Sequence, residues 1–148
     1  MDLPLGLIAK SLKGFCVCYF KNIQYDEKAP LHYFVTIPVN DELSLLVCVI
    51  TSQIENKLWY YHKTNEKAIQ SLVRVDKNRL PFLEKESIIE CNLPFLISRH
   101  EFTKIVDPKH KFKVVARDIP SEIKKNIIKA INNSPIVKPF IKKMLIQP

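Results

Sequence analysis

Glycine is almost missing from this chain: two residues in 148, Gly6 and Gly14. Folds that cradle a nucleotide phosphate on a glycine-rich loop need several glycines within a few positions, so that class is excluded. Internal repeats and low-complexity linkers are absent as well. Long apolar runs are also lacking. Asp41 and Glu42 precede the longest, Leu43 to Ile50, and Thr51-Ser52-Gln53 closes it. That falls well short of the about 18 residues that cross a bilayer, so no membrane span and no membrane partner is expected. Asp2 and the lack of a basic cluster ahead of Leu3 to Ala9, with no small-residue cleavage site after it, argue against a secretory leader. A cytoplasmic address is the expectation. The four cysteines, Cys16, Cys18, Cys48 and Cys91, include no C-x-x-C pair of the kind used for zinc or redox chemistry. Cys48 and Cys91 lie inside apolar runs and read as buried, reduced thiols. His32, His62, His100 and His110 are far apart and no carboxylate cluster completes a site, so neither a metal nor another cofactor is expected.

What is present describes one folded domain over residues 1–148. The composition, 47% hydrophobic and 26% charged, is that of a globular chain, and the length suffices to bury a core without metal or disulfide staples. Charge is divided unevenly. From Lys104 onward ten lysines and Arg117 stand against Asp107, Asp118 and Glu122, whereas the acidic and basic groups before Lys104 balance. The whole net charge of +8 therefore lies in the last third. Such asymmetry points to an acidic partner, nucleic acid or protein, or to lysine-rich helices that merely face water.

The pattern of the chain is α+β, mainly β. Residues 30–92 read as a β core, and residues 98–148 as a basic, mostly helical part. Leu7 to Leu12 could open a short helix and Phe15 to Phe20 has strand composition. His32 to Ile37 and Leu43 to Thr51, joined by Pro38 to Glu42, give the strongest hairpin signal. The second of these is apolar on both faces, as in the middle of a covered sheet or the wall of a small barrel. Leu58 to Tyr61, Ser71 to Val75 and Ser87 to Cys91 are predicted as further short strands. Ser98-Arg99-His100-Glu101 has the form of a capping box, with the Ser98 hydroxyl and the Glu101 carboxylate each serving the other's amide. Lys111 to Ala116 reads as a late strand. Pro120-Ser121-Glu122 opens a helix with Ile123, Ile127 and Ile131 on one face, and Pro139 to Ile146 reads as a last helix.

The Val49-Ile50-Thr51-Ser52 strand end, the Ser87 to Asn92 strand, Leu96-Ile97-Ser98 and the closing helix together resemble the PemK/MazF-like toxins of toxin–antitoxin systems. The resemblance runs from residue 30 to residue 131 and rests on short motifs. It implies a small SH3-like antiparallel β-barrel with C-terminal helices, a homodimer, an antitoxin peptide as partner, and metal-independent cleavage of RNA. Thr51 and Ser52 match the family's Thr-Ser pair. The family has an Arg and an Asp where this chain has Glu90 and Asn92, and Arg-Pro where it has Leu31-His32. Cleavage needs a base for the ribose 2′-hydroxyl, an acid for the leaving oxygen and a cation for the phosphorane. On this reading the catalytic candidates are His32 as acid or base, Arg74 as cation and Thr51. Ser52, Arg79, Glu90 and Asn92 are the substrate-binding candidates, although Glu90 adds a charge that repels phosphate. The rival reading is a non-catalytic interaction module that holds an acidic protein or nucleic acid on the lysine-rich helices.

Overall fold

The computed structural model describes residues 4–21, 31–106 and 112–147. Among these residues seven strands form one sheet: β1 (Val17–Phe20), β2 (His32–Ile37), β3 (Ser44–Thr51), β4 (Leu72–Val75), β5 (Ser87–Glu90), β6 (Phe95–Ser98) and β7 (Lys113–Ala116). Their order is β4-β5-β3-β2-β1-β7, with β6 also bonded to β3. Every pairing is antiparallel. β3 is the hub. One of its edges carries β2 from Leu46 to Ile50, and the other carries β6 at Ser44 to Val47 and β5 at Ile50 and Thr51.

Five α-helices among the described residues, α1 (Leu5–Ser11), α2 (Ile54–Thr64), α3 (Arg99–Ile105), α4 (Ser121–Asn133) and α5 (Pro139–Met144), accompany this sheet. Side chains along a strand alternate between its two faces, and two cores result. Val35, Ile37, Cys48, Ile50, Val73 and Ile89 meet Ile123, Ile127 and Ile131 of α4 and Ile141 of α5 on one side. Cys18, Phe20, Phe34 and Val47 meet Ala9 and Leu12 from the α1 segment and Phe102 and Ile105 of α3 on the other. The four cysteines are all free and buried.

The expected barrel does not close: among the described residues β4 and β7 stand at opposite ends of the strand order. Helices cover both faces, so curling the sheet upon itself would bury no further apolar surface. Strands also reach beyond residues 30–92, since β1 and β7 extend the sheet past β2.

A second correction concerns Leu58 to Tyr61, which belong to helix α2 and not to a strand. Ile54, Lys57, Leu58 and Tyr61 recur at helical spacing and form its covered stripe, while Trp59 and Tyr60 face outward. β6 occupies residues read only as the approach to a helix. The Ser98 hydroxyl does accept the Glu101 amide at 3.0 Å. Its reciprocal half is replaced, because the Glu101 carboxylate pairs with Lys104 at 3.3 Å. The predicted strand from Lys111 begins at Lys113, and Lys111 itself lies outside the described residues.

Candidate functional site

The end of the sheet where β2 starts and β3 stops forms a polar cleft of about 400 Å³. Register puts it there. Tyr33 is paired with Ile50, and Thr51 with Ile88 of β5, so the start of β2, the end of β3 and the start of β5 reach the same rim. His32, Thr51, Ser52, Glu84, Lys85 and Ser87 are among its walls.

Local hydrogen bonds fix this rim. The Thr51 hydroxyl accepts the Gln53 amide at 3.1 Å, which turns the chain out of β3 and presents Ser52 to solvent. The Ser87 hydroxyl donates to the Lys85 carbonyl at 3.0 Å. Tyr33 donates from its hydroxyl to the Phe82 carbonyl at 3.2 Å, and its ring lies 4.6 Å from that of Tyr19. Burial pushes the Tyr33 hydroxyl above its ordinary pKa, with Tyr19 and then Glu84 adding to the effect. Tyr33 therefore serves as a neutral wall near neutral pH.

The cleft brings together three of the residues expected from sequence, His32, Thr51 and Ser52. It does not take in the other four. Arg74 stands opposite Ile88, which in turn stands opposite Thr51, so the three share one face of the sheet. Its guanidinium nevertheless pairs with Glu86 at 3.2 Å, away from the cleft lining. Arg79 pairs with Glu122 at 2.7 Å and fastens its loop to α4. The cation in the cleft is instead Lys85, joined by the carboxylate of Glu84. Both come from a loop that has no periodic pattern, so the sequence carried no signal for them.

Glu90 and Asn92 belong to a buried polar network. Glu90 Oε2 accepts from the Tyr61 hydroxyl at 2.9 Å and from Lys57 Nζ at 3.2 Å, and Oε1 accepts the Asn92 amide at 3.0 Å. The Asn92 side chain donates to the Ala68 carbonyl at 2.8 Å and accepts from the Ser134 hydroxyl at 2.7 Å. Each polar end meets a partner, as burial demands. The network ties β5 to α2 and to the end of α4, and its groups are already engaged with one another.

An imidazole, a carboxylate, an ammonium and the hydroxyls of Thr51, Ser52 and Ser87 in one cleft can bind a phosphodiester and move protons on it. Among the described residues no cluster of His, Cys, Asp or Glu is arranged to hold a metal ion. No protein-family model, curated protein or solved structure matches the chain.

Proposed function

We propose that this chain is an RNA-binding protein of the PemK/MazF-like toxin type, with the cleft at the end of β2, β3 and β5 as its RNA site. The observation that supports this most is the convergence of His32, Thr51, Ser52 and Lys85 on one cleft. On this reading the central strands are the family's SH3-like barrel laid open and stiffened by helices. Lys85 takes the phosphate in place of an arginine, Ser52 donates to a non-bridging oxygen, and His32 and Glu84 exchange protons with the ribose 2′-hydroxyl and the leaving oxygen. The same reading includes a homodimer and an antitoxin segment that covers the cleft.

The test is incubation of the purified protein with single-stranded RNA in the presence of a metal chelator. Cleavage is expected, and His32→Ala should slow it by about 10²-fold or more, the usual contribution of a positioned acid or base. RNA left intact by the wild type removes the enzymatic half of the proposal.

The second reading is a non-catalytic module that holds an acidic partner. The outward stripe of α4, where Lys125 and Lys129 are exposed beside Asn126, favours it. Binding to an RNA oligonucleotide should weaken steeply with salt because phosphate contacts release counterions. A preference for an acidic peptide over RNA at equal salt would decide for this module.

A further inference from the structure

We propose that a second cleft, formed by Lys13 to Phe15, Arg117 and Asp118, and the first turn of α4, is a binding site for phosphate groups. It lies where β1 begins and β7 ends, whereas the His32 cleft lies where β1 ends and β2 begins. Its volume is about 590 Å³, ample for more than one phosphate.

Four cations line it, Lys13, Arg117, Lys124 and Lys125, against the single carboxylate of Asp118. That carboxylate is already neutralised, since Lys124 Nζ sits 2.6 Å from it. The nearby Glu122 is likewise occupied by Arg79. A surplus of positive charge remains facing the cleft, which is where three cations from the basic last third meet Lys13 of the first. The first turn of α4 has no side-chain cap, so the positive end of its dipole adds to the field.

Two of the cations are held in place before any ligand arrives. Arg117 donates from Nη1 to the Ser11 hydroxyl at 3.1 Å and to the Ser11 carbonyl at 3.4 Å. Among the described residues Nε and Nη2 have no hydrogen-bond partner, which leaves them to an oxyanion in the planar fork that suits phosphate. Lys124 lies over the Phe15 ring, 5.8 Å from its centroid, and its stem is half-buried. Such fixed groups lose little side-chain freedom when they bind. Gly14 gives the cleft a bare floor: no atom lies within 4 Å of where a Cβ would stand, so a ligand can approach the backbone there.

Phosphate groups of this kind come either from a small anion or from a nucleic acid strand. Inorganic pyrophosphate and an eight-nucleotide oligodeoxythymidylate, which lacks the 2′-hydroxyl that cleavage needs, serve as probes in calorimetric titrations of the full chain at low salt. Saturable binding of either probe is expected, with Kd raised about tenfold or more in Arg117→Ala/Lys125→Ala and unchanged in Lys67→Ala, an exposed lysine that is not among the walls of the cleft. Pyrophosphate binding that the double variant weakens identifies a small-anion site, and a loss in the double variant confined to the oligonucleotide identifies a strand site. Oligonucleotide binding that is weakened by Lys85→Ala and not by the double variant belongs to the proposed RNA cleft, which separates the two sites. The proposal is overturned if neither probe binds, or if the double variant, shown to be folded by circular dichroism, binds both as tightly as the wild type.

Discussion

The Glu90 carboxylate, fully enclosed, meets the Lys57 ammonium at 3.2 Å, and the lysine keeps a path to solvent at 28% exposure of its side chain. A single turn of α2 brings Tyr61 to the same oxygen. The pair therefore resembles a bolt driven from the surface into the sheet, and its energetics follow from the unequal burial of its two ends.

Lys57→Met strands a buried carboxylate and should lower unfolding free energy by about 2–3 kcal/mol, below the upper range for a fully buried pair because Lys57 is partly hydrated. The Lys57→Met/Glu90→Gln double variant should recover much of that loss, since no uncompensated charge remains and the glutamine amide can still pair with Tyr61 and the Asn92 amide. Urea unfolding of the two single variants and the double measures the coupling. Strict additivity would show that the pair contributes nothing of its own.

Ser134 closes α4 and satisfies three groups at once: its hydroxyl donates to Asn92 and accepts the Ile136 and Val137 amides at 3.1 and 3.3 Å. Ser134→Ala should cost about 2 kcal/mol, the scale for leaving buried polar groups unpaired. Thermal unfolding reads this directly. Exposed Asn132→Ala on the same helix is the comparison, with little change expected.

Burial pushes the Cys18 thiol up from 9.0 to about 12, with Cys16 adding to the rise and Arg117 opposing it. The folded state keeps this proton in a pH range where the unfolded chain releases it. Its contribution to stability is whole below pH about 9 and is lost as pH climbs toward 12, a decline on the order of 4 kcal/mol at the limit. Cys91 and Tyr61 are shifted upward as well, chiefly by burial, and steepen the same decline. Urea midpoints between pH 7 and 11 should fall for the wild type and fall less steeply for Cys18→Ala.

Gly14 has a φ of +68° and its added Cβ would touch nothing. Gly14→Ala therefore isolates backbone strain from crowding. A loss of about 1–2 kcal/mol is expected from the left-handed conformation alone. Gly6→Ala, in α1 and also with open space around it, should instead be neutral or slightly stabilising.

Much of the sheet was legible from the sequence because its strands are bounded by prolines and polar turns. His32 to Ile37 and Ser44 to Thr51 pair as the hairpin pattern requires. The isoleucine spacing of α4 also announced its covered face. Helix α2 was misread because Leu58, Trp59, Tyr60 and Tyr61 have strand-like composition, while the helical repeat that decides the matter runs through Lys57, a charged residue whose stem packs inward. β6 was hidden since nothing local marks a segment whose partner among the described residues, β3, lies some fifty positions away. For the site, the sequence named His32, Thr51 and Ser52, and register gathered them. Lys85 and Glu84 came from a loop, and whether Arg74 and Arg79 reach a ligand or a neighbouring carboxylate is decided by tertiary geometry.

The two-sided bonding of β3 has a consequence for how the molecule breathes. Leu46, Val47 and Ile50 are each paired with a strand on either side, whereas β4 and β7 are bonded along one margin only among the described residues. In deuterium exchange the amides of β3 should be the last to trade their protons, and those of β4 and β7 should go early by fraying. The His32 cleft hangs on the end of this slow keel at Ile50 and Thr51, so its rim can loosen while the strand that carries it stays shut.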